Sequence, residues 1–121
     1  MQNEEILNLQ ENELFGLISR FNLQPLGNKV IITLNNHVTA EDSLDMDIML
    51  NEEQYVIAIG EYVRTIIVGD KVAIDLEKLL VSVHDPNDSY SKITKIKVNP
   101  VRYENYTFGI IDANDIKYII K

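Results

Sequence analysis

The stretch QYVIAIGEYVRTIIVGDKVAID, from Gln54 to Asp75, decides the predicted fold. It holds three short runs rich in β-branched residues, which favour strands, at 56–59, 65–68 and 71–74. Gly60 ends the first run, and Gly69-Asp70 separates the second from the third. Glycine adopts positive φ without steric cost, and aspartate can hydrogen-bond nearby backbone, so Gly69-Asp70 predicts a turn between antiparallel strands. The stretch therefore predicts three strands of a small barrel.

Length and composition limit what can surround these strands. The chain has 121 residues, which favours one domain with appendages. Its 11 basic and 19 acidic residues give a net charge of −8, and such an acidic chain is poorly suited to binding the phosphate backbone of nucleic acid. Cysteine is absent, which excludes disulfides, thiolate catalysis and thiolate zinc sites. We therefore expect no nucleic-acid partner.

The sequence also predicts neither a membrane-spanning segment nor a signal peptide. No apolar run approaches the roughly 20 residues that cross a bilayer, and the acidic start lacks the basic and apolar regions of a signal peptide. We expect a soluble, cytoplasmic protein without a membrane partner.

Residues 1–24 are predicted to form a helical extension before the β domain. Leu7, Leu14, Ile18 and Phe21 fall on one helical face, and Asn3 can cap the helix. Gly16 is an interior weak point that could divide the helix in two. The favoured interpretation is that this face packs on the chain's own barrel, and the alternative is that it docks on another subunit or partner.

A long acidic connection follows the first predicted strand, 29–34. Residues 35–54 are much longer than the usual connection of about 4 to 6 residues, and long connections are often functional. We interpret them as a mobile, partner-binding loop. Its apolar trio Ile48-Met49-Leu50 is either the binding segment or a short strand that joins the barrel.

Two further strand pairs are predicted after the central stretch. The runs within 79–98 flank the turn residues Asp85-Pro86-Asn87-Asp88 and predict an inserted β-hairpin. Asn99-Pro100 is expected to break the second strand of this hairpin. Residues 106–121 predict two more strands around a polar turn at 112–115.

Candidates for catalysis or metal binding are weak. His37 and His84 are isolated, and two separate histidines do not form a metal motif. Asp45 and Asp47 could bind a divalent cation, but the loop lacks the other ligands and the glycine of a calcium loop. The five glycines are scattered, so no phosphate-binding loop is present. We predict no catalytic residues, no metal and no cofactor.

Four segments occur in this order along the chain: PLGNKVII at 25–32, QYVIAIG at 54–60, VGDKVAI at 68–74 and YTFGIIDANDIKYII at 106–120. Together they resemble the co-chaperonin family, the GroES-like or chaperonin-10 proteins. The resemblance implies that 25–121 is a small GroES-like β-barrel and that subunits assemble into a seven-membered ring. It further implies that the loop at 35–54 docks on a large chaperonin ring through Ile48-Met49-Leu50. The ring would cap a folding chamber, with the ATPase in the partner.

The chain also departs from this family. Only seven residues separate Gly60 from Val68, too few for the roof hairpin of many members, while the N-terminal helix and the 79–98 hairpin are additions. Such changes suit a divergent, phage-encoded co-chaperonin. The alternative is a phage virion protein, either capsid-decorating or tail-connecting, that keeps the barrel and uses the helix as its anchor on a viral structural protein. Both hypotheses expect a homo-oligomer, located in the host cytoplasm or in the virion.

Overall fold

Strands dominate the architecture. The computed structural model describes residues 11–35, 50–85 and 87–121, without the side chains of 11–12, 83–85 and 88–95. These residues form one helix and eight strands: α1 (Glu11–Arg20), β1 (Lys29–Ile32), β2 (Glu53–Ile59), β3 (Lys71–Ile74), β4 (Leu80–Asp85), β5 (Asp88–Ile96), β6 (Asn99–Tyr103), β7 (Tyr106–Asp112) and β8 (Ile116–Ile120). Short 3-10 helices, Leu76–Leu79 and Ala113–Asp115, precede β4 and β8. The prediction of a mainly β chain is confirmed.

Six strands form one antiparallel sheet in the order β6-β7-β1-β2-β3-β8. The sheet is not closed, because within the described ranges β6 pairs only with β7 and β8 only with β3. The two strands predicted at the C-terminus are present, but they do not pair with each other. Instead Ala113 N donates to Asn28 O (2.9 Å) and Asp75 N to Asp115 O (2.7 Å), so the intervening turn crosses from the β1 side to the β3 side.

The side chains on one face of the sheet form the main core. Alternate residues of a strand point to the same face, and here the inward positions are filled by valine and isoleucine. The fully buried members from the first three strands are Val30, Ile32, Val56, Val72 and Ile74. Ile111 of β7 joins them and carries the core across to the last strands.

Helix α1 covers the opposite face of the same sheet. Leu14 and Leu17 are buried there against a second apolar cluster that includes Ile31, Ile57 and Phe108. Gly16 is exposed and lies within a continuous helix, so the helix is not divided at this residue. A helix of this length is marginal alone, and burial of its leucines on the sheet supplies the stabilisation.

The predicted strand at 65–68 is absent, which corrects the sequence interpretation. Val63 and Ile66 are buried, but the segment is irregular, and Ile67 is 62% exposed. The reason is that β2 pairs directly with β3, which leaves the residues between them no partner strand. A turn is present at the predicted position, where Gly69 has φ 97° and Asp70 Oδ2 accepts a hydrogen bond from Ile67 N at 3.0 Å. It leads from the irregular segment into β3 and does not join two strands.

The predicted hairpin is confirmed as β4 and β5, which form a separate two-stranded sheet. Asn99-Pro100 ends that hairpin as expected, but it also begins β6, a strand that the sequence interpretation missed. Tyr103 pairs with Tyr106 next to the Glu104-Asn105 turn, and Pro100 pairs with Gly109 three pairs further from the turn. Counting from that turn places the Pro100 nitrogen on the free side of β6, where proline is tolerated.

Candidate docking loop and its base

The predicted partner-binding loop leaves the sheet and returns to it at one point. Residues 36–49 lie outside the described ranges, but both flanks are described. Asn51 N donates a hydrogen bond to Asn35 O at 2.9 Å, so the two ends are held side by side. The residues that flank the loop, 33–35 and 50–55, are called the loop base below.

Gln54 organises the loop base. Its side chain is fully buried, at 0% exposure. The amide oxygen accepts hydrogen bonds from Thr33 Oγ1 at 2.7 Å and from Asn35 N at 2.8 Å. The amide nitrogen donates to Asn35 O at 2.8 Å and to Asn51 O at 2.6 Å. Both donors and both acceptor positions of the amide are therefore used.

Thr33 extends this network into β2. Its hydroxyl donates to Gln54 and accepts a hydrogen bond from Tyr55 N at 2.9 Å. Thr33 is itself fully buried. Because a buried polar group is costly when unpaired and strongly bound when satisfied, this network fixes the geometry at which the chain enters and leaves 36–49.

The predicted binding trio is divided by the structure. Leu50 is buried in the main core, with only 7% of its surface exposed, so its side chain belongs to the loop base. Ile48 and Met49 lie outside the described residues. The alternative of a short strand at this position is represented by a single bridge residue, Leu50.

The predicted docking face of the N-terminal helix is packed on the chain's own sheet. Leu14 is buried there, and Ile18 and Phe21 are partly buried against the same cluster. Leu17, which was not included in that face, is also fully buried. Leu7 lies outside the described residues.

The C-terminal end of α1 is attached to the tip of the β6–β7 hairpin. Arg20 forms two hydrogen bonds of 2.8 Å with the Glu104 carboxylate, and Tyr103 Oη donates to Arg20 O at 2.6 Å. The hydrogen bond from Arg20 lowers the pKa of the Glu104 carboxyl, and the same bond raises the pKa of the Arg20 guanidinium. Glu104 has φ 58°, a conformation that is uncommon outside glycine, and its ion pair fixes the turn to the helix.

Chemistry-bearing residues do not converge in the described part of the chain. His37, Asp45 and Asp47 lie outside it, as does the side chain of His84. Within the described ranges, no group of three or more histidine, aspartate or glutamate residues could hold a metal ion. The helix described here is neither long nor apolar enough to cross a membrane.

Exposed apolar side chains are concentrated near the link 60–70, which the sequence interpretation treated as framework. Leu26 is 72% exposed, Tyr62 67% and Ile67 62%. Phe15 of α1 lies beside Gly69, and Tyr62 lies beside Gly27. The sequence feature that could have indicated this exposed surface is the run Ile66-Ile67-Val68, which the sequence interpretation assigned to a strand.

Comparison with known protein families finds no matching family model, and comparison with curated proteins finds no similar sequence.

Proposed function

We propose that this chain is a co-chaperonin-like protein that docks on a large chaperonin ring through residues 36–49. The observation that carries the proposal is the loop base, where the buried Gln54 amide joins the two ends of the segment. A connection of this length on a fixed stem suits a role in binding. The proposed activity involves no bond chemistry in this chain.

The loop base changes which residues are assigned to docking. Leu50 is committed to the core, so Ile48 and Met49 are the apolar contacts that we assign to the partner. A weak contact of this kind gains strength when several linked copies bind together, and it still permits release. The proposal therefore includes a homo-oligomer whose subunits each present one loop.

The finer fold assignment, a GroES-like barrel, belongs to the same proposal. It is supported by six antiparallel strands that share one main apolar core on one face and by a crossing turn that joins β7 to β8. The short link at 60–70 forms no hairpin, which agrees with a ring that lacks a roof.

Co-sedimentation with a chaperonin, with and without ATP, tests the docking loop. We expect ATP-dependent binding that is lost when Ile48 and Met49 are both changed to serine. Leu26→Ser is the matched control, because it removes an exposed leucine outside both the loop and the loop base. Full binding by the double variant, with weakened binding by the control, would contradict the loop assignment.

Native mass of the purified protein tests the assembly separately. A heptamer that joins the chaperonin only with nucleotide supports the proposal. A monomer that remains monomeric with chaperonin and ATP would argue against it.

The second candidate is a phage virion protein, and the exposed apolar side chains near 60–70 favour it, since such surfaces often mark protein interfaces. Deleting residues 1–22 is a poor test, because it removes the buried Leu14 and Leu17. Ile67→Ser is cleaner: it should reduce incorporation into particles without unfolding the chain. Absence of the wild-type protein from purified particles would exclude this candidate.

A further inference from the structure

A groove of about 380 Å³ runs along β8, and its other wall is formed by residues 62–66. Val63 and Ile66 line that wall but belong to the main core, so they expose little apolar surface to the groove. Tyr62 and Tyr118 are 67% and 56% exposed, and they face solvent at the groove. Large exposed tyrosines beside apolar surface are typical of protein interfaces.

The groove lies at the open edge of the sheet. Four consecutive residues of β8, from Ile116 to Ile119, line it. Residues 62–66, which line the other side of the groove, form no ladder with β8. Strand β8 pairs with β3 alone in the described part of the chain, so the side of β8 away from β3 is an unpaired edge. Such an edge presents unpaired backbone groups.

The charge of the groove is opposite to that of the molecule. No aspartate or glutamate lines it, although acidic residues outnumber basic ones, 19 to 11, in the chain. Its two charged residues are Arg64 and Lys117. Lys117 is paired with Glu52 at 2.8 Å, whereas Arg64 is exposed and has no ion pair or hydrogen bond through its side chain to any described residue. The groove therefore offers an available cation.

We propose that the open edge of β8 binds an extended acidic peptide segment of a partner protein as an added strand. Main-chain hydrogen bonds to β8 would supply affinity, as in other strand-addition complexes. Alternate apolar side chains of the peptide would pack on the exposed Tyr62 and Tyr118, and the acidic side chains between them would pair with Arg64. The occupant is thus a strand in which apolar and acidic residues alternate. This surface is separate from the docking loop, so it does not depend on the proposed function.

Fluorescence anisotropy with labelled ten-residue peptides tests the proposal. The probe alternates leucine and aspartate, and the control peptide alternates leucine and lysine. We expect the acidic probe to bind and the basic one not to bind. Arg64→Glu should weaken binding of the acidic probe by about tenfold or more, since it replaces attraction with repulsion. Arg102→Glu is the matched control, because Arg102 is an exposed arginine of β6 outside the groove and should leave binding unchanged.

A third peptide separates strand addition from simple charge attraction. The acidic probe with N-methyl groups on alternate residues keeps its charge but loses main-chain donors, and it should not bind. Equal binding of the methylated probe, or of the basic probe, would overturn the proposal. It would also be overturned if the wild-type protein bound no acidic probe, or if Arg64→Glu instead dissociated a self-associated form, which would assign the groove to a second copy.

Discussion

At the scale of single residues, the Gln54 side chain joins the two ends of the loop base. The amide of this side chain is fully buried and forms hydrogen bonds just beyond the last paired residues of β1 and β2, Ile32 and Val56. Its partners are the buried Thr33 hydroxyl, Asn35 N, Asn51 O and Asn35 O, the last of which also accepts from Asn51 N.

Gln54→Leu should therefore destabilise the fold by about 3 kcal/mol, because each buried polar group left unpaired costs roughly 1–3 kcal/mol. Urea unfolding measures the change. Gln24→Leu is the control: Gln24 also donates to two backbone carbonyls, of Pro25 and Ile59, but it is exposed, so water can replace it. Equal losses in the two variants would show that the loop base is not stabilised by Gln54.

Two glycines should respond in opposite directions to alanine. A Cβ on Gly60 would overlap the Gly27 carbonyl oxygen, and neither backbone segment can shift freely, so Gly60→Ala should cost about 2 kcal/mol. A Cβ on Gly16 would meet only Arg20 Nη1, at 3.8 Å, so Gly16→Ala should stabilise the helix by about 0.5–1 kcal/mol. Thermal unfolding of both variants checks the sign, and a stabilising Gly60→Ala would contradict the close packing at 27 and 60.

At this scale the sequence predicted what local chemistry determines. The Gly69-Asp70 turn followed from glycine's conformational freedom and a short aspartate side chain. The roles of Gln54 and Leu50 could not be predicted, because burial of each depends on a strand pairing that joins distant parts of the chain.

Among the elements, α1 and the β6–β7 hairpin stabilise each other. The helix ends at Arg20, whose side chain holds Glu104 and whose carbonyl accepts the Tyr103 hydroxyl. Phe21 packs on Tyr103 and Phe108 at ring-centroid distances of 4.8 and 5.7 Å, which continues the contact beyond the last helical residue. The ion pair is exposed, so the aromatic contacts carry the packing and the ion pair fixes its orientation.

Acid should loosen this attachment. The pKa of Glu104 is lower in the folded chain than its ordinary value of about 4.3, so its stabilisation is present above that value and is lost as pH falls through the lowered pKa. The free energy of unfolding should therefore fall less steeply below about pH 4 in Glu104→Gln than in the wild type. Glu77→Gln is the control, since Glu77 is exposed and its side chain pairs with no described residue. Identical pH profiles for Glu104→Gln and the wild type would contradict the assignment.

Strands could be predicted where an apolar run in the sequence also has a partner strand in the fold. The strands near 29–34, 56–59 and 71–74 and the hairpin within 79–98 were found because their apolar runs also have partner strands. The run at 65–68 has the same composition but no partner, and composition alone does not distinguish the two cases. Strand β6 was missed because proline was taken as a stop, whereas an edge strand accepts it.

At the scale of the molecule, charge is divided along the chain. Ten of the 19 acidic residues lie within 4–13 and 41–53, which contain no lysine or arginine. The remaining nine acidic residues are outnumbered by all 11 basic ones. The chain's strong acidity is therefore a property of two segments, and the strands themselves are close to neutral or slightly basic.

Replacing residues 38–47 with a ten-residue glycine-serine segment should leave the fold intact. The described contacts at the loop base involve only residues 33–35 and 50–55, and a flexible segment of equal length closes at a similar entropic cost. The free energy of unfolding should stay within about 1 kcal/mol of the wild type in urea. Loss of cooperative unfolding in this variant would show that the replaced residues belong to the core.

Pro100 limits the addition of further strands to the six-stranded sheet. Its nitrogen carries no hydrogen and lies on the free side of β6, so that edge is a poor template for another strand. Among the described strands of the six-stranded sheet, β8 forms the other edge, and pairing of two copies through β8 alone gives a dimer and not a longer chain. Pro100→Thr would restore a hydrogen-bond donor on the β6 edge, and fibril formation should be measured in concentrated solutions of that variant.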